Sequence, residues 1–324
     1  MNKVKIYFML PLISFVLFSC NNEEDPKVVV PPRDYAVQYP IDLDSIESYL
    51  KTHSFEVVEI DGKTDVKIDT FIVGNTEGKV SIWDNTQYPL QSKMIMNDSR
   101  LSDLVSGRIN DPVEYKMYYL ILNEGGGASA TRFDSTYVSY RGWRLDNTQF
   151  DVSNQPIWNT FPRISVGEVA FISGFRQFTS LLKAAVPPFL PNSDGQISYN
   201  NSGVGVVFLP SALGYYSTFS DNIPTYSPLV FTIRLHTVRE RDHDQDGILS
   251  KFENGENVED LHTIDTDGDN IPDFLDRDDD GDKVRTSLEI INPLTGKRFK
   301  YDEFDQIPTC PGGTLKKHLD PSCQ

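Results

Sequence analysis

The sequence predicts an α+β fold: an antiparallel half-barrel sheet wrapped on one helix, with a small α+β region before it and a helix-poor tail after it. Three observations carry this. Short alternating apolar segments separated by turn residues recur over residues 113–238, the pattern of antiparallel strands. One segment, 174–184, instead sets Phe175, Phe178, Leu181 and Leu182 on a single helical face. From Asp242 to Glu289 the chain carries 17 acidic and 4 basic residues, a local balance of −13 within −17 overall. Acidity so concentrated points to bound cations and disfavours nucleic acid, whose partners present basic faces.

At the start, Lys3 and Lys5 precede an apolar run, 6–18, that is short for a membrane span and reads as an export signal over residues 1–19. The run ends in Leu17-Phe18-Ser19-Cys20, which resembles a bacterial lipobox. The resemblance implies that Cys20 becomes the lipidated first residue of an envelope protein, anchored at the outer membrane. The acidic run 21–25 is similar to the surface-export signal of Bacteroidota lipoproteins, and equally reads as a solvated linker. Residues 20–40, with Pro31-Pro32, read as a tether. Asp44 offers an N-cap to a short helix with Ile46, Tyr49 and Leu50 on one face. Strands are expected over 57–60 and 66–73 about an Asp61-Gly62 turn. Region 41–111 carries no chemistry that can be named.

Further strands are expected at 115–122, 135–140, 204–209 and 229–238, with 112–238 as one domain. The triple glycine Gly125-Gly126-Gly127 is not a phosphate loop, because no Lys-Ser/Thr and no helix follow it. The loop 185–203, rich in Pro, Asn and Gly, is expected beside the functional site as a gate, a partner surface or a neutral insertion.

Within this domain aromatic and branched residues recur beside one carboxylate: Tyr140-x-Gly142, Phe150-Asp151, Ile172-x-Gly174-Phe175, Leu213-x-Tyr215, and Ile223-Pro224 before Leu229-Val230-Phe231. In this order they resemble the FK506-binding-protein (FKBP) type of peptidyl-prolyl cis-trans isomerase, over a little more than a third of the chain. The resemblance implies a pocket lined by Tyr140, Phe150, Phe161, Phe171, Ile172, Phe175, Tyr215, Ile223 and Phe231. It implies that Asp151 sits near the substrate carbonyl and that Tyr215 donates a hydrogen bond to the peptide, with Tyr216 as its rival. Phe175 stands where the family usually has tryptophan. The chemistry suits such residues. A prolyl amide resists rotation by about 18–20 kcal/mol because its C–N bond is partly double. The twisted amide is less charge-separated than the planar one, so an apolar hollow favours it without acid, base or cofactor.

The aspartates have their own order. Asp242, Asp244, Asp246, Ile248 (through its carbonyl), Ser250 and Glu253 fall at the ligand positions of a twelve-residue EF-hand loop, with Gly247 at the sharp turn. Asp265, Asp267, Asp269, Asp273 and Asp276 make a second copy. Asp278, Asp280, Asp282 and Glu289 make a third. The later copies resemble thrombospondin type 3 repeats, and residues 239–292 are expected to hold structural Ca2+. In the tail, 293–324, Cys310 and Cys323 either bridge or stay as two thiols. No nucleophile, catalytic dyad or histidine cluster stands out. The leading expectation is an isomerase for proline-containing exported polypeptides, bound to the membrane by lipid. The alternative is a non-catalytic FKBP-like binding or assembly module of a calcium-binding surface lipoprotein.

Overall fold

The computed structural model describes residues 31–60, 63–70, 78–96, 111–160, 167–191, 193, 195, 197–220, 222–253 and 263–323. The export signal, Cys20 and Phe161 lie outside the described residues.

Six strands form one antiparallel sheet in the order β3-β4-β7-β8-β5-β6. They are β3 (Gln91–Met96), β4 (Glu114–Asn123), β5 (Ser135–Arg144), β6 (Gln149–Asn159), β7 (Gly203–Leu209) and β8 (Leu229–Arg239). The sheet is open, with β3 and β6 at its edges. β7 is buried at every residue, so both faces of the sheet are covered. Period-two alternation divides its side chains. Tyr115, Met117, Val207, Leu209, Phe231, Ile233 and Leu235 pack with Phe175, Phe178 and Leu182 of the short helix α2 (Ser173–Thr179) and the turn after it. Tyr118, Leu120, Val206, Phe208 and Val230 face the other way, onto Ile46, Tyr49 and Leu50 of helix α1 (Tyr35–Thr52).

Two helices therefore clasp the sheet, and α1 is longer than the short helix expected from Asp44. α1 begins at Tyr35, inside the expected tether, and its cap is Asp34, which accepts from Ala36 N at 2.8 Å. The apolar pattern misses this first half because its buried positions are polar: Gln38 donates to Asp42, and Asp42 accepts from Ser211 N (2.8 Å) and Ser211 Oγ (2.6 Å). α2 stops at Thr179 rather than running to 184. Thr179 Oγ1 donates back to Phe175 O, and Ser180 Oγ to Gln177 O, hydrogen bonds that compete with further helical turns.

The hairpin β1 (His53–Ile60) and β2 (Lys63–Thr70) pairs in register, and Arg141 of β5 grips Asp65 through two nitrogens at 2.7 and 2.9 Å. Residues 33–324 group as one compact unit, so the described residues of region 41–111 belong to the same body as the sheet. The triple glycine has a packing role. A Cβ on Gly125, at φ +89°, would lie 2.1 Å from Lys183 O. Only glycine permits that backbone approach.

The loop 185–203 is not beside the aromatic cluster. Its Tyr199 ring packs on His236 at 4.9 Å, and Ala185 N donates to His236 O. His236 lies five residues along β8 from Phe231, about 17 Å at the rise of a strand. The loop expected beside the functional site, as a gate, a partner surface or a neutral insertion, thus meets β8 toward its other end.

His236 itself is buried, with Nε2 2.9 Å from Ser139 Oγ. Burial, with Arg234 and Lys63 adding to it, pushes its pKa down to about 3. The unfolded ring takes a proton below about pH 6.5 while the folded one refuses it, so stability is full above that pH and is lost as pH falls toward 3. His236→Gln is expected to remove about 1–3 kcal/mol of the loss between pH 7 and pH 4. Urea midpoints at the two pH values measure this.

Candidate functional site

The isomerase-like residues gather. Phe175, in the first turn of α2, contacts Phe171 (4.4 Å between ring centroids), Tyr140 (5.4 Å) and Phe231 (5.4 Å). Phe150 meets Phe231 edge-on at 5.4 Å. Gly142 makes room for that pair: a Cβ there would fall 2.7 Å from both rings. Ile172 and Ile223 complete a buried floor with Phe175 and Phe231. Tyr140, Phe150, Phe171 and Tyr215 stand half-buried around it. Asp151 is exposed at the rim, accepting from Tyr140 OH at 2.6 Å and Val152 N at 2.8 Å. Burial and the Asp151 carboxylate raise the Tyr140 phenol well above its usual range, so it stays a donor. Tyr215 is raised too, by burial and then by Asp151.

Tyr215 packs against the aromatic cluster near Asp151, and its rival is engaged elsewhere. Tyr216 is buried at φ +50°, its ring tilted against Tyr35 at 4.6 Å, with its hydroxyl donating to Arg33 O. Arg33 N in turn donates to Tyr226 OH, and Asp42 holds Ser211. The start of α1 therefore clamps both ends of the segment carrying Tyr215 and Ile223. Phe219, 68% exposed on that segment, is an apolar side chain the sequence pattern did not single out.

The three aspartate loops repeat one geometry. The sixth residue donates its N–H to the first carboxylate in each: Gly247 to Asp242, Asn270 to Asp265 and Lys283 to Asp278. These sixth residues have φ of +111°, +77° and +77°. The ninth side chain accepts from the second residue's N–H: Ser250 from His243, Asp273 from Thr266, and Thr286 from Asp279. Asp265, Asp267 and Asp269 offer oxygens within 4.8 Å of one another, as do Asp278, Asp280 and Asp282.

The first loop differs from expectation. Its gathered group is Asp244, Asp246, Glu253 and Asp279, within 4.8 Å. Ser250, a candidate ligand, is occupied with His243 N (3.1 Å) and Nδ1 (2.8 Å). Asp242 lies outside the group, held by Gly247 N and Tyr301 OH. In the second loop Asp273 spends both oxygens on Thr266. Asp276 accepts from Arg277 N and Asp278 N, and burial, then Asp269 and Asp267, raises its pKa. In the third, Glu289 is raised to about 8, by burial and then by Asp280 and Asp282. Buried, hard oxygen donors without polar partners are what a calcium ion fits.

The tail packs on these loops. Phe299 and Ile307 share a core with Ile248 and Ile290, and Cys310 is bonded to Cys323.

Residues 243–317 match the family model BamM_C, described as BamM C-terminal, a span that joins the loops to the tail. Comparison with curated proteins gives no match. Among solved structures, the chain is similar to a peptidyl-prolyl cis-trans isomerase from Pseudomonas syringae pv. tomato, with 22% identity, TM-score 0.30, and 38% of this chain and 76% of that one covered. It is similar to FkpA from Escherichia coli, at 21% identity and TM-score 0.29, over 38% of this chain and 48% of that one. It is also similar to the N-terminal domain of FKBP42 from Arabidopsis thaliana, at 14% identity and TM-score 0.30, over 46% and 94%. At such TM-scores these likenesses add no weight to the geometry of the aromatic cluster.

Proposed function

We propose that the chain is an FKBP-type peptidyl-prolyl cis-trans isomerase acting on proline-containing exported polypeptides, lipid-anchored through Cys20 at the outer membrane and stiffened by Ca2+ in its aspartate loops. The gathering of Tyr140, Phe150, Asp151, Phe171, Ile172, Phe175, Tyr215, Ile223 and Phe231 around one floor carries this reading. A proline ring would rest on Phe175 and Phe231, out of water, where the twisted amide loses less solvation than the planar one. Tyr215 would hold the peptide, and Asp151 would fix Tyr140 at the wall. Slow X-Pro rotation limits folding, which gives such a catalyst its use.

A protease-coupled assay on a proline tetrapeptide tests it. The purified chain is expected to exceed the uncatalysed rate. Tyr215→Phe should lower kcat/KM by about tenfold, the worth of one hydrogen bond to the bound peptide, and Asp151→Ala by a similar factor through release of the Tyr140 hydroxyl it holds. A wild-type rate equal to the uncatalysed one removes the catalytic reading. The second reading, a non-catalytic binding module, is favoured by Phe175, which has no N–H and is covered by Phe171 at 4.4 Å. It requires proline peptides to bind without acceleration.

A further inference from the structure

We propose that Asp279 of the third loop is a ligand of a divalent-cation site otherwise built by the first loop, from Asp244, Asp246 and Glu253. The inference rests on the calcium reading above and adds to it a shared ion spanning two repeats.

Three carboxylates of the first loop and one of the third offer oxygens within 4.8 Å of one another. Glu253 is 8% exposed and Asp279 1%, and both oxygens of each lack a hydrogen-bond partner. Asp244 Oδ2 and Asp246 Oδ2 are likewise buried and unpartnered. Such a group is intolerable as bare anions and satisfied by one hard cation, for which an all-oxygen set favours calcium. Asp279 is the second residue of its loop, a position held by His243 in the first and Thr266 in the second. Its N–H is tied to Thr286 of its own loop, which leaves the carboxylate for its neighbour. Arg277 Nε donates to Asp244 O at 2.8 Å beside it, so the two loops already touch there. The ion would therefore fasten the third loop to the first. Between them Phe274 packs on Phe133, next to β5, at 5.2 Å. Loading this site thereby also holds the loops against the sheet.

Calcium titration calorimetry on the purified full chain tests it, with Glu253→Gln, Asp279→Asn and the double variant. Each single variant is expected to weaken one class of site by on the order of tenfold or more. The double variant should lose no further site, because both residues serve one ion. In EDTA, Asp279→Asn should melt no lower than wild type, since it removes a buried carboxylate that has no partner. Wild-type affinity in Asp279→Asn, loss of two separate sites in the double variant, or a lower melting point in EDTA would each overturn the shared site while leaving calcium binding intact. Absence of any calcium heat in the wild type would remove the calcium reading itself, and the shared site with it.

Discussion

Phe175→Ala is expected to cost about 3–5 kcal/mol of stability, a large share of the 5–15 kcal/mol that holds a typical domain together. Phe175 is 1% exposed and touches the rings of Tyr140, Phe171 and Phe231, so its removal leaves a cavity at the centre of the floor. Its neighbours are held from several sides and have little room to collapse. Tyr140 is bonded to Asp151, and Phe231 lies on a strand paired on both edges. Urea midpoints measure the loss. The opposite change is informative as well. Phe175→Trp restores the residue usual at this place in the resembling family, but Phe171 already sits at 4.4 Å. Overpacking is expected to cost about 1–3 kcal/mol, unless Phe171 is shortened in the same molecule. A Phe175→Trp variant as stable as wild type would show that the floor has slack, and that Phe171 does not take up the volume.

Much of the sheet was legible because its signal is local. β7 reads as a near-continuous apolar run, the composition of a strand covered on both faces, while β8 alternates apolar with polar residues from Phe231 to His236. The clustered residues were singled out through their resemblance to the FKBP family rather than from spacing alone, and Phe161 of that set lies outside the described residues. What escaped depended on partners far along the chain. The first half of α1 hides behind Gln38 and Asp42, whose burial makes sense only once Ser211 is beside them. Pro40, inside the helix, reads as a breaker when no tertiary contact is known. Asp279 was passed over because a single twelve-residue loop has no ligand at its second position. Its one local clue was an aspartate where the sister loops carry histidine and threonine. The loop 185–203 was misplaced for a similar reason. It follows α2, whose Phe175 lies in the aromatic cluster, and only its contacts with His236 on β8 show that it leads away from that cluster.

Calcium withdrawal should have the other large effect, and pH should report its origin. A cation that binds only the folded loops stabilises them by about 2.7 kcal/mol per site at one hundred times Kd, and by about 4.1 kcal/mol at one thousand times. With more than one loop loaded, EDTA is expected to lower the melting point by many degrees and to open residues 263–323 to proteases first. Without the ion, the carboxyls keep protons instead. Glu253 is raised well above its usual range by burial and by Asp244 and Asp246, and Asp279 is raised to about 10 by burial and then by Asp246. In the unfolded chain both ionise near pH 4. The folded state therefore binds more protons between those values, and in EDTA stability falls as pH rises. The clean window is pH 6.5–9, above the range where His236 titrates. There the melting point in EDTA should drop steadily with pH, while in millimolar calcium it should stay level. Calcium should also expel protons at pH 7, seen as binding heats that differ between buffers of different ionisation enthalpy. A melting curve in EDTA that ignores pH across this window would mean that the four carboxylates already have solvent or counter-charge, and that no ion is needed to hold them together.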